Sequence, residues 1–183
     1  IGLSAGGLVT REMVASMAKD PIVFALALPE PEISEAEAKA SGAAVVATGQ
    51  ADSDNQIRSS LVTPGFFRGC LDVGAYKVNI EMYLAAARAL ADMIPEDKLT
   101  PQNIIPRQMD WHISPVIAEA VARAAQETGV AQMTKEIVTP ERIRERTESY
   151  IYEGELAWLP SEGQDYGSLS IEEEALELHS RYQ

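Results

Sequence analysis

The hydrophobic pattern changes period along the chain, and each change marks an element. Met13, Val14 and Met17 share one helical face behind Thr10, a residue suited to cap a short helix. Pro21 then opens an unbroken apolar run, Ile22 to Leu28, closed by Pro29. An apolar run without alternation predicts a strand buried on both faces, as in a parallel sheet. Ser34-Glu35-Ala36-Glu37 has the form of a capping box for a helix running to Ser41, with Gly42 as its stop. Ala43 to Thr48 reads as a second short strand. Strand, helix and strand joined by short links predict a βαβ unit. Ahead of them, Ile1-Gly2-Leu3 reads as the tail of a strand that begins upstream and runs into a glycine turn, in a segment of a longer polypeptide.

Gly49 to Thr63 is polar and reads as a loop. Pro64 to Gly69 sets two aromatics between glycines, and its pattern assigns it no element. Asn79 caps a helix with Tyr83, Ala87, Leu90 and Ile94 as its apolar stripe and an alanine-rich interior. Pro95, Pro101 and Pro106 mark a loop. Ser114-Pro115 signals the next helix start, with Val116, Ile117, Ala120, Val121 and Ala124 on its apolar face and Gly129 at its end. Thr139-Pro140 repeats that signal for a charged helix. After a turn-rich break from Pro160 to Gly167, Ser170 to Glu173 forms a second capping box. It opens a last helix with Ile171, Ala175, Leu178 and Tyr182 in line. No repeat or low-complexity tract interrupts this order.

The 183 residues suit one domain, or one domain with an extension. With 46% apolar and 23% charged residues the chain can bury a core and is not a disordered tether. A net charge of −13 repels phosphate backbones and anionic lipid, so neither nucleic acid nor a membrane surface is expected as a partner. Residues 134–183 hold 12 acidic against 5 basic side chains and read as an acidic helical extension to a domain spanning 1–133. The single cysteine, Cys70, excludes an internal disulfide framework and a cysteine zinc cage. No apolar run approaches the roughly 18–20 residues of a membrane helix, and no secretory signal opens the chain. A cytoplasmic protein is therefore expected.

Few residues suggest chemistry by type and spacing. Gly2, Gly6 and Gly7 lie between a strand stub and a helix, where bare backbone can approach a ligand and a helix N-terminus favours an anion. The spacing is not that of a dinucleotide fingerprint and by itself suits an ordinary strand-to-helix turn better than a ligand loop. His112 and His179 lack partners at metal-ligand spacing and read as surface or partly packed residues. Cys70 reads as a buried inert thiol. Glu172, Glu173, Glu174 and Glu177 sit at a helix start, where negative charge satisfies the dipole. Residue chemistry alone provides no catalytic set and no metal site.

Motif order carries more. The run IGLSAGGLVTREMVASMAKDPIVFALALPEPEI, followed by GAAVVATGQADSDNQIRSSLVTPGFFRGCLDV, resembles the C-terminal half of the NAD-binding domain of malic enzymes. The helix motif T-x-E-M-V-x-x-M-A, the strand P-I-V-F-A-L, an Ala-Thr-Gly strand end, an N-Q-I loop and P-G-x-F-R-G all occur in order. IAEAVARAAQETGVA fits the closing helix, so the resemblance spans about 1–133. It implies an α/β fold: the C-terminal half of a Rossmann-like parallel-sheet domain, here with a helical extension. It also implies oxidation of malate with NAD or NADP and decarboxylation to pyruvate, helped by a divalent metal, Mg or Mn. The turn Leu3, Ser4, Ala5 and Gly6 would meet the cofactor's ribose and nicotinamide side. Ala27 and Leu28 would lie near the nicotinamide, and the loop from Asn55 to Ser60 would approach the substrate.

Two departures stand out. The family often ends the strand in Asn-Pro, where this chain has Leu28-Pro29, and reads N-Q-I-N-N where this chain has Asn55-Gln56-Ile57-Arg58-Ser59. Arg58 and Ser59 are therefore the candidate substrate residues, for malate or a related 2-hydroxy acid. The family's metal-binding acids, its proton-transfer Lys and Tyr, and its phosphate-binding glycines belong to the N-terminal part. That part is an expected partner, as is a further copy in a homo-oligomer. The departures leave open a non-catalytic assembly or regulatory module with an eroded site, and an enzyme retuned to another carboxylate.

Overall fold

The structure, a computed structural model, describes residues 1–153. The second capping box, the final helix, His179 and the Glu172–Glu177 cluster lie outside the described residues. Residues Ile1–Glu148 form one compact unit.

Strand β1 (Ile22–Ala25) pairs in parallel with β2 (Val45–Thr48), Ile22 opposite Val45 and Ala25 opposite Thr48. Short parallel bridges widen this pair on both sides. Gly2 lies beside Ala25, its N–H donating to Phe24 O and its carbonyl accepting from Leu26 N. Gln56 lies beside Thr48. Four parallel segments therefore run side by side in chain order, and the strand stub at residues 1–3 takes the place expected of it. The α/β fold expected from the sequence is the one observed.

The apolar run after Pro21 differs in detail. Val23, Ala25 and Ala27 are buried, whereas Ile22 and Leu28 are 64% and 58% exposed. Val14 of helix α1 (Arg11–Ala15), Ala38 of helix α2 (Glu35–Ala40) and Ile33 just before α2 pack with Val23 and Ala25 on one face, while Phe24 and Leu26 on the other face are half-buried. The ladder stops at Ala25, and the Leu28–Pro29 peptide is cis. Thr10 caps α1 by accepting from Met13 N at 3.2 Å, and Ser34 caps α2 by accepting from Glu37 N at 3.2 Å. Met13 and Met17 are about half exposed, so Val14 is the buried residue of α1, and Arg11 ties the helix to α2 by donating to Glu37 Oε1 at 3.0 Å.

A second core joins three helices: α3 (Thr63–Asp72), α4 (Ile80–Asp92) and α5 (Ile113–Glu127). The glycine-rich segment without an assigned element is α3. Its glycines do not break it, because each replaces a side chain at a helix crossing. A Cβ on Gly65 would stand 2.5 Å from Ser114 O, and one on Gly69 would stand 2.5 Å from Ala118 O. On α4, Asn79 caps as expected, accepting from Met82 N at 3.0 Å. The buried stripe is Met82 and Ala86 rather than Tyr83 and Ala87. Tyr83 stays 57% exposed and stacks on Phe66, with ring centroids 5.0 Å apart. Helix α5 begins at Ile113, so Ser114 lies inside it rather than capping it; of the expected face Ile117, Val121 and Ala124 are buried, joined by Ile113, Ala118, Ala122 and Ala125 in place of Val116 and Ala120. Gly129 closes it at φ +68°. Helix α6 (Pro140–Glu153) follows Thr139, which accepts from Arg142 N, and Ile143 enters the core of α3 to α5.

Candidate functional site

In parallel strands running side by side, the carboxyl ends form one rim, and the backbone there leaves the ladder with groups that need new partners. The described rim is built by the turn after Gly2, by Leu26 to Pro29 after β1, by Gly49 and Gln50 after β2, and by Ile57 to Ser59 after the Gln56 bridge. The residues that the resemblance assigned to cofactor and substrate, Leu3 to Gly6, Leu28, Arg58 and Ser59, fall on it, with Ala27 beneath.

The first segment is open. Leu3, Ser4, Ala5 and Gly6 are exposed, Leu3 at 76%. Gly7 has φ +70° with nothing within 4 Å of a Cβ built on it, so the backbone of this turn is accessible. Gly6 is packed from below, where a Cβ would stand 2.7 Å from Glu30 Cβ. Gly7 N donates to Pro31 O, and Val9 N to Glu32 O, which ties the turn to the segment leaving β1.

Ala27 and Leu28 separate. Ala27 is 4% exposed, beneath the rim, whereas Leu28 lies on it at 58%. Leu28 covers Gly49: a Cβ there would be 3.1 Å from Leu28 Cδ2. The carbonyl of the same Gly49 accepts from Arg58 Nε at 2.7 Å. Arg58 is thereby held against the end of β2, and the rest of its guanidinium has no partner among the described residues. Ser59 opens a 3-10 turn (Ser59–Leu61) with its hydroxyl unengaged among the described residues. Arg58 and Leu28 meet on one glycine; the turn of Leu3 to Gly6 lies two strands away along the rim.

Asn55 behaves differently from the loop it begins. It is 1% exposed. Its Nδ2 donates to Val46 O at 2.9 Å and to Pro101 O at 2.8 Å, while Oδ1 accepts from Ile104 N at 3.0 Å. Every polar function of this amide is used, so Asn55 pins the 101–104 loop to β2 and holds nothing out to a substrate.

One residue of the site was not singled out from the sequence. Glu32 is 2% exposed, and its two carboxylate oxygens accept from different strand ends: Ser4 N to Oε1 at 3.0 Å and Ala27 N to Oε2 at 3.1 Å. Burial pushes the carboxyl up, but the N–H groups of Ser4, Ala27 and its own backbone outweigh burial and hold it below the ordinary carboxylate value. The signal in the sequence was slight: an acid inside Pro29-Glu30-Pro31-Glu32-Ile33, directly before the core residue Ile33.

Away from the rim, His112 pairs through Nδ1 with Asp110 at 2.7 Å and is half exposed. Cys70 is buried, and burial raises its thiol pKa. Among the described residues, no three His, Cys, Asp or Glu side chains group so as to hold a metal.

Residues 1–126 match the family described as malic enzyme, NAD binding domain. The chain is 48% identical over 155 residues to the bifunctional malic/malolactic enzyme of Bacillus subtilis, covering 85% of this chain and 37% of that relative. It is 40% identical over 175 residues to the NADP-dependent malic enzyme of Haemophilus influenzae, covering 87% of this chain and 23% of the relative. The crystal structure of malic enzyme from Pyrococcus horikoshii matches with a TM-score of 0.74 at 39% identity, over 84% of this chain and 35% of that one. The chain thus spans roughly a quarter to a third of the length of these relatives.

Proposed function

This chain belongs to the family of malic enzyme NAD-binding domains, and on that premise we propose that it is the cofactor-binding segment of a malic-enzyme-like oxidoreductase. The activity of the whole polypeptide would be oxidation of malate, or a related 2-hydroxy acid, with NAD or NADP, and decarboxylation of the product to pyruvate. The observation that carries this reading is the rim. Adjacent parallel strands end at one edge, and dinucleotides bind across such carboxyl ends. The residues fit a flat, partly anionic ligand: open backbone from Ser4 to Gly7, the hydroxyls of Ser4 and Ser59, and the spare fork of Arg58. When bound, the dinucleotide supplies the hydride acceptor.

The chain's own residues bind and orient. Leu3, Ser4, Ala5 and Gly6 form the wall for the ribose and nicotinamide side. Leu28 contributes an apolar contact, with Ala27 backing it from below. Arg58 offers two-handed hydrogen bonds to a substrate carboxylate, a geometry suited to a guanidinium, and Ser59 adds a shorter donor. No proton-transfer step is assigned to these residues. The Mg or Mn that assists decarboxylation would be bound by the N-terminal part of the same enzyme, and no described residue is given a role toward it. In this division, 1–133 is the cofactor-domain part and 134–183 its extension, whose Ile143 shares the core of α5. We further propose a cytoplasmic homo-oligomer; no described helix is long and apolar enough to cross a membrane.

Titration of the full-length protein with NAD and NADP, together with malate-dependent reduction of each followed by absorbance, tests this reading. Binding of one nucleotide and turnover of malate are expected. Absence of dinucleotide binding in a folded preparation refutes it.

A further inference from the structure

Glu32 has no route to a substrate. It is 2% exposed, and both oxygens are committed to backbone N–H groups. Yet those N–H groups belong to Ser4 and Ala27, one in each of the two rim segments assigned to the cofactor. The carboxylate spans the gap between a strand end at Gly2 and a strand end at Ala25, at the level where their ladder stops. A buried carboxylate costs several kcal/mol unless its hydrogen bonds are made, so its geometry is tightly constrained. Gly2 is shaped to it: a Cβ there would stand 2.4 Å from Glu32 Cδ and 2.5 Å from Oε1. Further along, Val9 N donates to the Glu32 carbonyl at 3.0 Å, so one residue fixes both ends of the open turn.

We propose that Glu32 is a positioning residue that sets the spacing and tilt of the Leu3–Gly6 turn relative to the end of β1, and so shapes the wall for the nicotinamide half of the cofactor. The inference rests on the cofactor reading above. A glutamine at this position keeps the volume but turns one of the two acceptors into a donor that faces an N–H. The turn and the strand end can then no longer be held at once at their present separation. The adenine half of a dinucleotide lies away from this part of the rim on the same reading and is not affected.

The test uses the full-length protein with Glu32→Gln and, separately, Gly2→Ala, which pushes on the same carboxylate from the opposite side. Affinity for the dinucleotide and for ADP-ribose, which lacks nicotinamide, is measured by calorimetry, with thermal unfolding alongside. The expected result is selective: dinucleotide affinity falls about tenfold in each variant, the scale of one lost charge-assisted hydrogen bond, and ADP-ribose affinity holds. Equal losses for both ligands, or no loss for either in a folded variant, overturn the proposal. Failure of both variants to fold also overturns it, since Glu32 is then a stability residue with no separable effect on the site. If the unaltered protein binds neither ligand, the cofactor reading itself fails, an outcome distinct from these.

Discussion

Replacing Asn55 by Ala removes three hydrogen bonds made by a side chain that is itself 1% exposed. The lost bonds run to Val46 O, Pro101 O and from Ile104 N. A buried amide bond contributes about 1 kcal/mol net, and a buried group left without a partner costs about 1–3 kcal/mol. Val46 is 0% exposed, so its carbonyl has little prospect of replacement by solvent. The loss should therefore total about 3 kcal/mol, less if the 101–104 loop swings out and hydrates its own groups. That loop is joined to the sheet through this side chain, so its release should be visible locally. The assay is amide hydrogen exchange at Ile104 in the full-length protein, with the denaturant midpoint and the KM for malate measured in parallel. Fast exchange at Ile104, a lower midpoint and a KM changed little are expected. If stability and exchange are unaltered while the KM rises steeply, Asn55 is a substrate ligand and the reasoning from its satisfied hydrogen bonds is wrong.

Three further outcomes are expected. Arg58→Ala should weaken binding of a dicarboxylate by about 1.5–3 kcal/mol, the range for a hydrogen bond to a charged group, and leave NAD affinity nearly unchanged; calorimetry showing equal malate affinity in both proteins removes Arg58 from the site. Gly69→Ala places a methyl 2.5 Å from Ala118 O and 3.0 Å from Val121 Cβ, so α3 and α5 must part at a cost of about 1–3 kcal/mol, which the better helix propensity of Ala only partly offsets; an unchanged or raised Tm contradicts this. Glu32 is held below its ordinary value in the folded state, so its stabilisation is present above the unfolded carboxylate value near 4.3 and is lost as pH falls through the lower folded value. The Tm difference between the unaltered protein and Glu32→Gln should then be full at neutral pH and shrink in acid; a difference that grows in acid reverses the sign and refutes it.

Local signals were legible where a short stretch of chain decides the outcome. Thr10, Ser34, Asn79 and Thr139 each cap the helix they were expected to cap, because a side chain and an amide three residues on suffice. Helix α3 was not legible, since Pro64, Gly65 and Gly69 read as breakers in isolation. Their benefit is tertiary, the close approach of α5, and no local rule contains it. The face of α4 was misjudged for a related reason. An alanine-rich helix offers several weakly apolar stripes, and the choice fell to Met82 once Tyr83 stacked on Phe66 at the surface. At the rim, motif order placed Leu3 to Gly6, Leu28, Arg58 and Ser59 on one edge. It did not separate Asn55 from its neighbours, nor reveal Glu32, because a buried polar residue has no hydrophobic period.

Among the described residues the buried polar side chains are Glu32, Thr48, Asn55 and Thr147, and the first three serve the carboxyl end of the sheet. Thr48 accepts from Gln50 N at 3.1 Å, Asn55 holds Val46 and the loop at 101–104, and Glu32 holds Ser4 and Ala27. A strand end orphans backbone groups whether or not a ligand binds there, so this concentration has a structural cause in the first instance. What distinguishes the rim from an ordinary sheet edge is the division of labour that results. The buried residues satisfy the backbone beneath, and the residues above them keep their chemistry unspent: the Ser4 and Ser59 hydroxyls, the outer nitrogens of Arg58, and bare backbone at Gly7. A ligand arriving at such a rim meets tethered backbone and an Arg58 already anchored by its Nε on Gly49 O, so less side-chain entropy remains to be lost there on binding. Loosening the lower layer should therefore weaken binding without removing any contact made by the upper one, which is the behaviour expected of Glu32→Gln and the reason its effect must be read in affinity as well as in turnover.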